Sequence, residues 1–200
     1  MNNFKRIGVL VSGGGTNLQA ILDAEKSGII KSGKVAVVVS SSAKAFALER
    51  AAKAGVPSVC VSRKECASKS EFEEKISAAL SEYEVDIVVL AGFMHILSCD
   101  FIAKYRNRMI NVHPSLIPSF CGDGFYGLKV HEAALEKGVK VTGATVHFVN
   151  EITDGGKIIM QKAVEIEEGD TPEILQKRVM KEAEHIILPQ ALELLCAEKI

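Results

Sequence analysis

Two hundred residues suit one domain, or one domain with a tightly attached subdomain. Apolar residues at 48% and charged residues at 24% are globular proportions, which exclude a disordered, fibrous or coiled-coil chain. With 24 Lys and Arg against 25 Asp and Glu the net charge is −1, so the molecule as a whole does not attract nucleic acid or an anionic membrane, and an anion must be held by a local site.

Runs rich in Val and Ile at residues 7–11, 35–39, 58–61, 87–90 and 109–112 alternate with helical patterns, the order of parallel strands joined by crossover helices. The run at 35–39 does not alternate with polar residues, as expected of a strand covered on both faces. A first helix reads from 18 to 26. Ser68, Lys69, Ser70 and Glu71 fit a capping box, followed by Phe72, Ile76, Ala79, Leu80 and Tyr83 on one face, with the Glu and Lys residues on a solvated face. Beyond Pro114 come a loop rich in Gly and aromatics at 119–127, a helix near 130–137, and strands at 141–147 and 158–164 that look like a hairpin. A final helix opens at Asp170, Thr171, Pro172 and Glu173 and runs to Pro189. The expected architecture is one domain, residues 1–200, a three-layer Rossmann-like α/β unit whose mostly parallel sheet has an antiparallel C-terminal extension.

The longest apolar stretch, residues 87–94, is far short of the ~20 residues that span a bilayer. The apolar run after Lys5 and Arg6 is shorter than the roughly 7 to 15 residues of a signal peptide, which predicts a cytoplasmic protein. Cys60, Cys66, Cys99, Cys121 and Cys196 form no C-x-x-C pair and read as reduced, mostly buried small hydrophobes. Nothing in composition or motifs bears on oligomeric state.

Ser12, Gly13, Gly14, Gly15, Thr16 and Asn17 join the first strand to a helix, so backbone N–H groups converge at the positive end of a helix dipole, a ready phosphate site. The same glycines suit a tight turn that needs them only for its dihedrals. Leu18 stands where a dinucleotide fingerprint has its third glycine, no Asp or Glu closes the second strand, and the Gly-Lys-Ser/Thr of a P-loop is missing. A small phosphate monoester remains.

Asn111, Val112, His113, Pro114 and Ser115 lie at the C-terminal end of the fifth strand, the edge where open parallel sheets bind ligands. Asn111 and His113 are two apart on an extended chain and point the same way, and Pro114 keeps His113 extended. An amide donor beside an imidazole suits a developing oxyanion, and the imidazole can also move a proton near neutral pH. A solvent-facing His-Pro loop would have the same sequence. Thr153, Asp154, Gly155 and Gly156 carry a turn signature, and a functional reading requires Asp154 to lie near His113 and favour its charged form. His147 reads as packed in a strand, His131 as a surface residue on a helix and Cys121 as a packing residue, and no two histidines have metal-ligand spacing.

Together, Ser12-Gly13-Gly14-Gly15-Thr16-Asn17-Leu18-Gln19, Gly92-Phe93-Met94-His95-Ile96-Leu97, Asn111-Val112-His113-Pro114-Ser115-Leu116-Ile117-Pro118 and Asp154-Gly155-Gly156 are the motifs by which the chain resembles the phosphoribosylglycinamide formyltransferases of the folate-dependent formyltransferase family. The resemblance runs from Lys5 to about residue 195. It implies transfer of the formyl group of 10-formyltetrahydrofolate, a co-substrate, to the amine of glycinamide ribonucleotide in purine biosynthesis, with small-molecule substrates and no metal. It implies that Gly15, Thr16 and Asn17 hold the ribonucleotide phosphate and that Glu184 also contacts the ribonucleotide. Asn111, His113 and Asp154 match the catalytic trio: Asn111 and protonated His113 stabilise the oxyanion, while Asp154 keeps His113 charged and helps relay a proton. The folate would lie along Met94, His95, Ile96 and Leu97, with Asn111 and Lys69 also contributing; His95 and Lys69 stand where familiar members carry arginine. The N-terminal half, about 1–112, would then bind phosphate, and the C-terminal half, about 113–200, would carry catalysis and folate.

Two other functions fit parts of this pattern. A formyltetrahydrofolate hydrolase would share the trio, but its regulatory domain precedes the sheet, and a first strand entered at Ile7 is expected to leave no room for one. A non-catalytic nucleotide-binding module would hold a phosphate with His113 incidental.

Overall fold

The computed structural model describes residues 4–200. Its strands are β1 (Lys5–Val11), β2 (Gly33–Ser40), β3 (Ser58–Cys60), β4 (Ile87–Leu90), β5 (Met109–His113), β6 (Val141–Phe148) and β7 (Ile158–Glu165). They form one sheet in the order β3-β2-β1-β4-β5-β6-β7. The first five are parallel, β6 is antiparallel to β5, and β7 is antiparallel to β6. The expected α/β class and the antiparallel extension are both present. The strand order reverses direction between β1 and β4, and such a switch point opens a crevice at the C-terminal strand ends.

The helices are α1 (Thr16–Ser27), α2 (Phe46–Lys53), α3 (Lys69–Glu82), α4 (Cys99–Lys104), α5 (Leu128–Lys137), α6 (Pro172–Val179) and α7 (His185–Cys196). Two apolar clusters lie on the two faces of the sheet, because successive strand side chains point to opposite sides. Val9 and Val11 join Leu18, Ile21, Leu188 and Leu192 from α1 and α7. Leu10, between them in sequence, joins Phe72, Ile76, Leu80 and Phe101 from α3 and α4. Each such side chain buried completely contributes roughly 1.5–3 kcal/mol. The capping box forms as read: Ser68 Oγ accepts the Glu71 N–H at 3.0 Å, and Glu71 reaches back to the Ala67 N–H at 2.7 Å.

Four expectations are corrected. The last helix does not stop at Pro189, which lies inside α7; burial of Leu188, Leu192 and Leu195 offsets the ~3 kcal/mol that an interior proline costs. The cysteines are not mostly buried: Cys66 and Cys196 are, Cys121 is half-buried, and Cys60 and Cys99 are exposed on a three-residue edge strand and in the first turn of α4. Glu73 leaves the solvated face of α3 and is only 7% exposed.

His131 is the largest departure. The sequence places it on a surface, yet it is fully buried on the face of α5 that also carries Val130 and Ala134, and neither ring nitrogen has a partner. Burial, with a further contribution from the charge of His113, pushes its pKa down to about 4 from 6.5. The unfolded chain therefore binds the proton more readily. Stability owed to neutral His131 is complete above pH 6.5 and is lost as pH falls towards 4, by about 3 kcal/mol. Urea unfolding of the wild type across this window, compared with His131→Leu, should show a shallower fall in the variant; parallel curves would refute the assignment.

Candidate active site

β1 ends in the crevice, and Gly15 makes the turn into α1 with φ 71°, where an added Cβ would lie 2.7 Å from Ala47. Gly13 and Gly14 are different: neither has a positive φ, and a Cβ on either would meet nothing within 4 Å. The turn itself thus requires glycine only at Gly15. No side chain caps α1 and no acidic residue occupies its first turn, which leaves its leading N–H groups and positive dipole end for an anion.

Asn17, in that first turn, faces inward. Its Nδ2 donates to Glu184 Oε2 at 2.7 Å, and both side chains are buried. Glu184 closes a π turn, Met180–Glu184, between α6 and α7, a local widening often found at functional positions. Burial pushes the Glu184 carboxyl upward, opposed by the Asn17 hydrogen bond. Asn17 Oδ1 has no protein partner. Asn17→Ala would leave the Glu184 carboxylate buried without its donor; a loss of about 1–3 kcal/mol in unfolding free energy is expected. Binding of a phosphate monoester should weaken as well in this variant, and unchanged binding in a titration would displace the anion from the α1 start.

The second cluster gathers after β5. Asn111 and His113 share one face of β5, and the antiparallel register sets His147 of β6 opposite Asn111 and Thr145 opposite His113. Thr145 Oγ1 donates to Ser115 O at 2.7 Å and accepts the Ile117 N–H at 3.1 Å, tying down the chain after His113. Asp154 lies in the β6–β7 connection with φ 54° and a side chain only 8% exposed. Its Oδ2 is 3.4 Å from His113 Nδ1 and its Oδ1 is 3.5 Å from His147 Nε2. Gly156, in the same connection, passes so close to the Phe148 carbonyl that a Cβ would collide with it.

The hydrogen bonds assign protons. His113 Nε2 lies 2.8 Å from the Phe120 carbonyl, which only accepts, so Nε2 carries a hydrogen, and a charged ring presents its second one to Asp154. His147 Nδ1 is likewise committed to Phe148 O at 2.8 Å. Its Nε2 then accepts from Asn111 Nδ2 at 3.3 Å when neutral or donates to Asp154 when charged. Burial works most strongly against ionised Asp154, but the His147 hydrogen bond, the charge of His113 and the Gly122 N–H at 2.9 Å together hold its carboxyl below the ordinary 3.8. This is an acceptor-rich anion facing two imidazoles, with an amide alongside. Such a group can stabilise developing negative charge on a carbonyl oxygen and move a proton.

A cavity of about 640 Å³ opens beside this cluster. Its wall is lined by Met94, His95, Ile96 and Leu97, by Asn111, His113 and Asp154, and by residues 122–127 and 149–153. Met94 and Ile96 are 55% and 69% exposed, apolar surface suited to a flat aromatic ligand. Lys69 does not line this cavity; its Nζ lies 3.8 Å from Glu73. The structure therefore brings Asn111, His113 and Asp154 together with residues 94–97, and Gly15, Thr16 and Asn17 with Glu184. Reading His147 as a packed strand residue missed its place in the cluster. Its position two residues after Thr145, on a strand that must pair with β5, was the available signal, but the pairing register was not known.

A mostly parallel α/β sheet thus carries, at one edge, an uncapped helix start able to hold an anion and an amide–imidazole–carboxylate cluster able to stabilise charge on a carbonyl oxygen. The sequence model of the formyl transferase family matches residues 5–192, and the chain belongs to this family. It is 46% identical to glycinamide ribonucleotide transformylase 1 from Symbiobacterium toebii, whose crystal structure superposes with a TM-score of 0.91 over 98% of this chain and 89% of that one. Phosphoribosylglycinamide formyltransferase from Brucella melitensis is 40% identical, with a TM-score of 0.88 and coverage of 98% and 97%. Human trifunctional purine biosynthetic protein adenosine-3 is 45% identical over 192 residues, 96% of this chain. The match takes in only 18% of that larger protein, so the chain corresponds to one segment of it.

Proposed function

We propose that this chain transfers the formyl group of 10-formyltetrahydrofolate to the amine of glycinamide ribonucleotide. The observation that carries the reading is the meeting, at one sheet edge, of a phosphate-type helix start with an amide–imidazole–carboxylate cluster that lines a mostly apolar cavity. Glycine at Gly13 and Gly14, where the turn does not need it, supports close approach of a phosphate to the backbone of residues 13–17. The phosphate lies on Gly15, Thr16 and Asn17, and buried Glu184, which accepts from Asn17 Nδ2 at 2.7 Å, supports this end of the ribonucleotide site. The folate lies in the cavity along Met94, His95, Ile96 and Leu97, its ring edge hydrogen-bonded to backbone there and in residues 150–154. Lys69 acts on this wall from behind rather than from within the cavity.

The substrate amine attacks the formyl carbon, and the carbonyl electron pair moves onto oxygen. Asn111 Nδ2–H and His113 Nε2–H, once the latter leaves the Phe120 carbonyl, donate to that oxyanion. Asp154 stabilises the imidazolium and receives, through water, the proton shed by the attacking nitrogen. Collapse returns the electron pair and breaks the bond to the folate nitrogen, which takes up, through the same water, the proton held at Asp154 and so regenerates the carboxylate.

We read residues 1–200 as one domain whose halves supply the two substrates. Among the described residues no helix is long and apolar enough to cross a membrane, and we place the enzyme in the cytoplasm. The test is a spectrophotometric assay for deformylated folate with and without glycinamide ribonucleotide. Ribonucleotide-dependent turnover is expected. Turnover indifferent to the ribonucleotide would point to a hydrolase, and none at all to a binding module.

A further inference from the structure

The segment 92–97 that walls the cavity belongs to no helix or strand, so something outside it must fix its shape. Helix α3 supplies two grips. Phe72 lies parallel to Phe93, with ring centroids 6.3 Å apart, and meets His95 edge-on at 5.1 Å. The adjacent Glu73 takes the far end: its carboxylate accepts the Ser98 N–H at 2.7 Å and also the Ser98 hydroxyl in a short hydrogen bond. Ser98 Oγ in turn accepts the Phe101 N–H at 3.2 Å and caps α4. Lys69 Nζ, 3.8 Å from Glu73, offsets the charge of this nearly buried carboxylate.

The location is informative. Glu73 is the acidic residue of α3 that leaves the solvent-facing side of the helix, and it is bonded to the residue directly after the cavity wall. A helix cap alone needs only the Ser98 hydroxyl. The added carboxylate fixes the Ser98 backbone and hydroxyl together, and so sets where residues 92–97 must end. The near side of the same wall is held by the Met94 N–H donating to Ser12 Oγ at 3.0 Å.

We propose that Glu73 is a positioning residue for the folate: acting through Ser98, it holds residues 92–97 in the shape that the pterin edge reads, without touching the folate itself. The inference rests on the folate reading above and names a residue of that site. Lys69 then contributes to folate binding indirectly, through Glu73.

The test compares wild type, Glu73→Gln and Glu73→Ala by steady-state kinetics and by calorimetric titration with a 10-formyl folate. In Glu73→Ala the folate KM and Kd should rise about tenfold, the equivalent of one lost hydrogen bond to a charged group. The ribonucleotide KM and the kcat at saturating folate should stay within about twofold, whereas general loosening of the fold would move both substrates. Glu73→Gln keeps one acceptor and the side-chain volume and should restore part of the affinity. It also carries the test alone should Glu73→Ala fail to fold. Unchanged folate affinity in both variants, or an equal rise in both KM values, overturns the proposal while leaving the parent function standing. A wild type that binds no folate overturns both.

Discussion

His113→Ala is expected to lower turnover by ~10²–10⁴, the usual contribution of a positioned acid–base group, with a smaller change in either KM. The imidazole is buried, faces Asp154 through Nδ1 and carries an N–H on Nε2 that is bonded to the Phe120 carbonyl. Alanine removes the oxyanion donor and the proton carrier together. Asn111→Ala removes a donor but no proton carrier, and about 10²–10³ is expected there. Single-turnover assays with both substrates saturating separate these losses from binding. A His113→Ala rate within tenfold of wild type would take this residue out of the chemistry and favour a binding module.

Asp154→Asn has a different signature. The amide keeps the size of the carboxylate and can still accept the Gly122 N–H, so residues 120–124 should stay in place. What is lost is the charge facing His113 and His147. Turnover is expected to fall by ~10²–10⁴. The sign of the pH effect on stability is fixed by the depressed carboxyl: ionised Asp154 stabilises the fold above its ordinary 3.8, and this is lost as pH falls through its lower folded value. Wild type should therefore lose stability below pH 4 in part through Asp154, and the Asn variant should lack that component in acid-unfolding curves. For the same reason Asp154 remains charged throughout neutral pH, so an acid limb in the rate profile must come from another group. An Asp154→Asn enzyme with wild-type turnover would exclude the proposed proton route.

Strand positions were legible because each core strand carries an apolar run bounded by turn residues, and β4 was read to its exact ends at 87 and 90. Capping chemistry was legible too, since a Ser followed three residues later by Glu satisfies the same N–H groups wherever a helix begins. The end of the last helix was not. Proline forbids one hydrogen bond locally, and only the burial of the apolar face beyond Pro189, against the sheet, determines that the helix continues. His131 was misplaced for the same reason: a single polar residue on a helix reads as surface until a second element covers it.

The sequence by itself determined the fold class, the glycine-bearing helix start and the Asn111–His113 pair, since each depends on residues adjacent in the chain or two apart on a strand. The tertiary structure decided everything that joins distant segments. Asn17 reaches Glu184 across 167 residues, Asp154 meets two imidazoles, His147 faces Asn111, and Glu73 holds Ser98. Local propensity carries no information about these partners, because the pairing register of β5 with β6 and the packing of α3, α6 and α7 on the sheet are set by burial of the whole core.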